Sequence, residues 1–302
     1  MHLMSNSKTN HGNVVLRTAA DLFPGYFALV MATGIISIAC FLLEMKTIAL
    51  VLLAINVVAY AILWLLLLLR LFFFFSRVKA DLNDHQRGPG FFTVVAGTCV
   101  LGSELLIVSA QYRIAVGLWF AGILLWAVIM YAFFAAMTVR ENKPSIEAGL
   151  NGGWLLIVVA TQSISVLGTL VANRFGEYRE PVFFFTLCMF LLGCMLYLPL
   201  ITLIFYRFTF VNVTMAALTP PYWINMGAVA ITTLAGARLI IAAPEWPLLN
   251  EVVPFLKGFT LFFWAAGTWW IPLLFILGFW RHVYKRFPLQ YDPQYWGMVF
   301  PF

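Results

Sequence analysis

The sequence is poor in charge: of 302 residues only 10% are Asp, Glu, Lys or Arg, against 63% hydrophobic ones. A water-soluble chain is about one-quarter charged, so this one lacks the residues to clothe a soluble domain. Cysteine is scarce too. The four present, Cys40, Cys99, Cys188 and Cys194, lie in apolar stretches without ligand spacing, which excludes a disulfide scaffold and a thiolate metal site. The four histidines, His2, His11, His85 and His282, fall in the amino-terminal tail or beside polar loops, which argues against a buried haem or metal centre. Walker A, His-Glu-x-x-His and Gly-x-Ser-x-Gly patterns are all missing. No enzyme chemistry, cofactor or metal is therefore expected. The net charge of +6 sits mostly between apolar runs, where membrane orientation explains it and nucleic-acid binding does not.

What the chain has in abundance is apolar length. Eight segments are long enough to cross a bilayer as helices of about 20 residues: roughly 23–43, 47–75, 90–109, 114–138, 152–172, 181–206, 222–242 and 255–281. They are continuously apolar and lack the short alternating segments of a barrel, so helices are predicted. A ninth segment begins at Tyr295 and the sequence stops at Phe302. The reading is an all-α integral membrane protein with eight complete helices and the start of a ninth. Residues 1–22 are expected to be a cytoplasmic tail, and 23–302 a transmembrane domain that is incomplete at its carboxy terminus. Segment 23–43 follows Lys8 and Arg17 as a signal peptide would, but its length and the spans after it make it a first transmembrane helix without cleavage.

The connections at 43–47 and 109–114 are very short, so their flanking helices are predicted to be antiparallel hairpins. Longer polar loops follow at 76–89, 139–151 and 282–294. Alternating the loops between two sides gathers twelve of the eighteen basic residues on one side, among them Lys8, Arg17, Arg70, Arg140, Arg207 and Arg281. That bias predicts a cytoplasmic amino terminus in the plasma (inner) membrane.

The odd-numbered segments resemble one another. Pro24-Gly-Tyr-Phe-Ala-Leu-Val-Met-Ala-Thr33 aligns with Pro89-Gly-Phe-Phe-Thr-Val-Val-Ala-Gly-Thr98, and Gly152-Gly-Trp-Leu-Leu-Ile-Val-Val-Ala-Thr161 keeps the aromatic-then-small pattern. Pro221-Tyr-Trp-Ile-Asn-Met-Gly-Ala repeats the opening, and Tyr295-Trp296 would begin a fifth unit. Repeated helical pairs are common in transporters. The small residues of these segments let helices approach closely or leave space beside an axis, so the odd helices are candidates to line a conduit; tight packing without a pore is the alternative. The even segments, rich in Leu65 to Leu69, Phe72 to Phe75 and Phe183 to Phe185, read as an outer ring.

Candidate chemistry is sparse. Glu104 and Arg238 are the clearest ionisable groups deep in apolar segments, and they are read as a candidate intramembrane ion pair, with snorkelling at helix ends as the alternative. Thr33, Thr98, Thr161 and Asn225 recur on the repeated helices as candidate pore-lining groups, because hydroxyls and amides present partial positive charge to an anion without holding it tightly.

Three segments carry a family resemblance: Phe23-Pro-Gly-Tyr-Phe-Ala-Leu-Val-Met-Ala-Thr-Gly34, Thr219-Pro-Pro-Tyr-Trp-Ile-Asn-Met-Gly227 and Tyr291-Asp-Pro-Gln-Tyr-Trp-Gly-Met-Val-Phe-Pro301. Together they resemble the tellurite-resistance/dicarboxylate transporter family, which includes TehA-like proteins, plant slow anion channels, fungal malate permeases and sulfite exporters. The resemblance implies helical hairpins in quasi-fivefold array around a central pore, odd helices inside, and a homotrimer with one pore per subunit. It also implies a phenylalanine that plugs the pore, which matches Phe300, and makes Phe27 and Phe92 further lining candidates at equivalent repeat positions. An interfacial aromatic anchor is the other reading of Phe300. The function implied is passage of small inorganic or organic anions; a gradient-driven carrier of malate-like dicarboxylates, sulfite or tellurite and a nonconducting membrane scaffold or fragment are the alternatives.

Overall fold

The structure is a computed structural model describing residues 14–301. Residues 1–13, on which most of the tail expectation falls, and Phe302 lie outside the described residues. The described chain is helical, contains no β-strand, and has seven continuous helical runs long and apolar enough to cross a membrane. It is a multi-pass integral membrane protein.

We label the principal helices α1 (Ala28–Leu42), α2 (Lys46–Phe73), α3 (Phe92–Ser109), α4 (Tyr112–Val139), α5 (Leu156–Val171), α6 (Arg179–Phe210), α7 (Ile224–Ala242), α8 (Val253–Phe279) and α9 (Tyr295–Val299). The run from Gly152 to Phe210 counts as one helical stretch of 59 residues. At 1.5 Å per residue that is close to three bilayer cores in length. It is broken between α5 and α6 at Gly176, where φ 55° and ψ −118° depart from any helix. Only glycine adopts such a conformation without strain.

The odd helices start alike. A single 3-10 turn leads into each of α1, α3, α5 and α7, at Pro24–Phe27, Gly88–Phe91, Gly152–Leu155 and Pro220–Trp223. Proline near the first turn of three of them sacrifices no helical hydrogen bond, and Asn151 caps the fourth by accepting the Gly153 N–H at 2.8 Å. The helix ends explain the short hairpins. Ala110 terminates α3 in a left-handed conformation, with the Ala110 and Gln111 amides donating back to Leu106 and Leu105 at 3.1 and 3.0 Å. Glu44 (φ 62°) plays the same part between α1 and α2, where the Met45 amide donates to Cys40 at 2.9 Å. Both short connections fall where the sequence places them.

Burial separates two sets of helices. In the most apolar stretch of each helical run, 61% of residues are buried around α1, 89% around α3 and 56% around α7, against 22% for α2, 22% for α4 and 17% for α8. Helices α1, α3, α5 and α7 therefore form an inner group whose sides pack against one another, while α2, α4 and α8 present most of their surface outward, as lipid-facing helices do. At the inner starts backbone meets backbone: a Cβ on Gly90 would lie 2.8 Å from the Gly25 nitrogen, and one on Gly152 only 2.2 Å from the Pro221 carbonyl oxygen.

Candidate functional site

The inner helices enclose a cavity of about 290 Å³ between their carboxy-terminal halves. Ile35, Ile38 and Leu42 of α1, Val100, Ser103 and Ile107 of α3, Val166 and Leu170 of α5, and Gly227, Ile231, Leu234 and Arg238 of α7 face it. The spacings of three, four and seven residues show that each helix contributes one continuous stripe. The turn Phe300-Pro301 after α9 closes one flank; Phe300 is buried, its amide donates to the Trp296 carbonyl at 3.2 Å, and Pro301 lies where a Cβ on Gly227 would meet it at 2.7 Å. At the opposite ends of the same helices Gly25, Gly90, Gly153, Pro221 and Gly297 line a second, narrow space of about 30 Å³, little more than one water across. Outside that constriction Gln86, Arg87, Asn151, Thr219, Asp292 and Gln294 surround a polar vestibule.

The cavity between the inner helices is apolar with a few polar groups. Ser103 Oγ donates to the Cys99 carbonyl at 3.0 Å and Ser163 Oγ to Ala160 at 2.7 Å, so both hydroxyls have spent their protons inside their own helices. Arg238 is the cation among the lining residues, half-buried near the end of α7.

The sequence candidates divide in position. Phe300 and Arg238 line the cavity. Phe27 packs edge-on against Tyr60 and Trp64 of α2, with centroids 6.0 and 5.9 Å apart, and Phe92 does the same with Phe133 of α4 at 5.6 Å. Thr98 Oγ1 lies 2.9 Å from the Tyr60 hydroxyl, and Thr161 Oγ1 accepts from Trp126 Nε1 at 2.9 Å. Equivalent repeat positions thus turn toward the outer helices in both hairpins, which supports the repeat. Thr33 is half-buried and lies off the cavity; Asn225 is fully buried, and its amide has no hydrogen-bond partner among the described residues.

Glu104 and Arg238 are not brought together: the described ion pairs do not include them. Glu104 is completely buried, and its Oε2 accepts from Asn56 Nδ2 at 2.6 Å, while the same amide group donates to the Val30 carbonyl at 3.1 Å. This link across α1, α2 and α3 was overlooked in the sequence, although a lone Asn inside a 28-residue apolar helix is an expensive residue to leave unpaired. Of the hydroxyls that face the cavity, Ser163 belongs to the polar run that begins at Thr161, whereas Ser103 has no signal of its own beyond its helix.

Buried guanidinium groups fix the loops on the vestibule side. Arg70 donates to Asp81 at 2.7 Å with both side chains largely buried, and Arg87 donates to the same carboxylate at 2.7 Å while lying over the Phe23 ring. Arg207 donates to the carbonyls of Leu150 and Glu147 and to the Tyr222 hydroxyl, joining the end of α6 to the starts of α5 and α7. In the loop before α3, burial first and then the Arg140 charge hold the His85 imidazole below its ordinary pKa. Among the described residues no group of His, Cys, Asp and Glu is arranged to hold a metal ion.

This arrangement, inner helices around a cavity and outer helices toward lipid, is that of a membrane channel or transporter. The chain matches the SLAC1 family, voltage-dependent anion channel, over residues 21–302 and belongs to that family, whose members are channels and transporters and not enzymes. An uncharacterized membrane protein of Mycobacterium tuberculosis (strain H37Rv) is 41% identical over 106 residues, 35% of this chain and 53% of that protein, so the match spans about half the length of that relative. Two uncharacterized transporters of Methanocaldococcus jannaschii match more extensively: one is 26% identical over 93% of this chain and 80% of its own length, the other 23% identical over 91% and 80%.

Proposed function

We propose that this protein passes small anions across the membrane through the cavity between the inner helices, with Phe300 as its gate. The observation that carries this reading is the position of the buried Phe300, which with Pro301 lines the cavity that all four inner helices face. An aromatic ring in an apolar passage blocks by volume and by excluding water, and rotation of the ring opens it. Anion preference follows from Arg238 in the wall together with weak polar contacts, which attract an ion without trapping it. Five inner-helix starts around one constriction support a quasi-fivefold array of hairpins, and the break at Gly176 makes eight crossings before α9. On the same reading the amino terminus faces the cytoplasm of the plasma membrane, as the basic-residue bias supports, and the protein is a homotrimer with one cavity per copy. The transported class is small inorganic or organic anions, sulfite and C4-dicarboxylates among them.

The test is anion flux from proteoliposomes holding the 302-residue chain under chloride, sulfite and malate gradients. The expected result is flux that rises severalfold in Phe300→Ala and shows no dependence on a proton gradient, and that falls in Arg238→Gln. Saturable flux that needs a proton gradient would replace the channel with a carrier, and identical flux in wild type and Phe300→Ala would remove the gate.

A further inference from the structure

The four even-numbered helices end in an arginine on the same side of the molecule: Arg70 in α2, Arg140 just after α4, Arg207 in α6 and Arg281 in the π-helical turn Trp280–Tyr284 after α8. Three of these guanidinium groups donate to a protein oxygen. Arg70 has the Asp81 carboxylate, Arg140 the Asn83 carbonyl, and Arg207 the Leu150 and Glu147 carbonyls. The fourth differs. Arg281 lies over the Phe287 ring at 4.4 Å and donates to no protein oxygen among the described residues; its buried Nε, like those of Arg70 and Arg207, has no partner. It faces a cavity of about 400 Å³ between the start of α7, the end of α8 and α9, whose walls include Leu218, Leu274, Leu277 and Met298.

An unpaired guanidinium at one end of an apolar groove suits an amphipathic anion. The groove borders α8, the most outward-facing of the helices, and the adjoining turn carries the signature of a headgroup boundary: Trp280 and Tyr284 lie beneath Lys285 at 5.9 and 5.4 Å. A guanidinium presents forked N–H donors that match phosphate oxygens, and basic side chains at a membrane surface favour anionic lipid. We propose that this cavity binds an anionic phospholipid, its phosphate accepting hydrogen bonds from Arg281 and one acyl chain lying along the Leu218, Leu274 and Leu277 wall. The site lies outside the inner cavity and stands or falls independently of the transport reading.

Native mass spectrometry of the 302-residue chain in neutral detergent tests it, with phosphatidylglycerol, phosphatidylcholine of the same acyl chains, or inorganic phosphate added. Wild type is expected to retain phosphatidylglycerol over phosphatidylcholine, and Arg281→Gln to lose that preference by about fivefold, the scale of one arginine at a headgroup. Arg286→Gln, an exposed cation on the same turn, is expected to change it less than about twofold. Gly278→Leu keeps the charge and fills the groove, since a Cβ there meets only Trp223 within 4 Å; it is expected to abolish retention and decides the matter if Arg281→Gln fails to fold. Equal retention of the two lipids by wild type, undiminished retention in both Arg281→Gln and Gly278→Leu, or displacement of the lipid by millimolar inorganic phosphate would each overturn the proposal, the last in favour of a free-anion site.

Discussion

Helices α3 and α4 are the two halves of one hairpin and have nearly the same mean hydropathy in their helical runs, 2.0 and 2.2, yet 89% of the first run's apolar stretch is buried and only 22% of the second's. In water such a difference would follow hydrophobicity; in a bilayer both environments are apolar, and burial is decided by what lets helices touch. The α3 face carries Gly97, Thr98, Gly102 and Ser103, all buried, whereas α4 carries large side chains such as Phe120, Leu124, Val128 and Tyr131 that stay exposed. Small residues and internal hydrogen bonds, not apolarity, mark the inner set.

The strongest way to break this distinction is to remove the polar tie that reaches inward from an outer helix. Asn56→Leu strips Glu104 of its donor inside the membrane and is expected to lower stability by about 3 kcal/mol, measured by unfolding in detergent. Adding Glu104→Leu is expected to restore most of that loss, because two apolar groups leave nothing unsatisfied; an additive double variant would show that the two residues act separately.

Next in size is a single methyl group. Gly152→Ala forces a Cβ against the Pro221 backbone and is expected to cost about 2 kcal/mol, while Gly117→Ala on α4, with nothing within 4 Å, is expected to be neutral or stabilising by up to about 1 kcal/mol. Similar melting temperatures for the two variants would erase the contrast between inner and outer helices. Thr161→Val removes the acceptor for Trp126 and sharpens the comparison with an expected loss of about 1 kcal/mol, read from the same unfolding curves and from the tryptophan fluorescence shift.

The smallest effect lies outside the membrane. His85 has a folded-state pKa below its ordinary value near 6.5, with burial the first cause and Arg140 the second. The unfolded chain therefore binds the proton more readily, so the imidazole's contribution is fully present above about pH 6.5 and is lost as the pH falls through that value toward the folded pKa. A shallow decline in melting temperature below that pH, absent in His85→Gln, is the expected result; an unchanged slope in the variant would assign the decline to other groups.

Much of this fold was legible in the sequence because length and punctuation carry it. The spans follow from apolar runs, the tight hairpins from connections too short for anything else, and the inner starts from recurring Pro-Gly and Gly-Gly pairs. The direction of each side chain was less legible. Thr98 and Thr161 have the chemistry of a pore wall but point at Tyr60 and Trp126, since a helix apolar on every side offers no polar face from which to read its rotation. Glu104 stands out in the sequence as an expensive group, but its partner lies on the adjoining outer helix, where Asn56 stands alone among aliphatic residues. Pairings across three helices depend on packing that no linear spacing encodes.

The glycine contacts at the inner starts have one more consequence. Where Gly90 rests on Gly25 and Gly152 on Pro221, the neighbours meet through main chain, leaving no room between them for side chains to act as spacers. The width of the narrow space at that point is consequently a property of backbone geometry, which substitutions elsewhere along these helices leave intact. On the transport reading proposed above, wall residues along the rest of these helices are then free to change what is admitted, while the width at this point stays fixed by main chain.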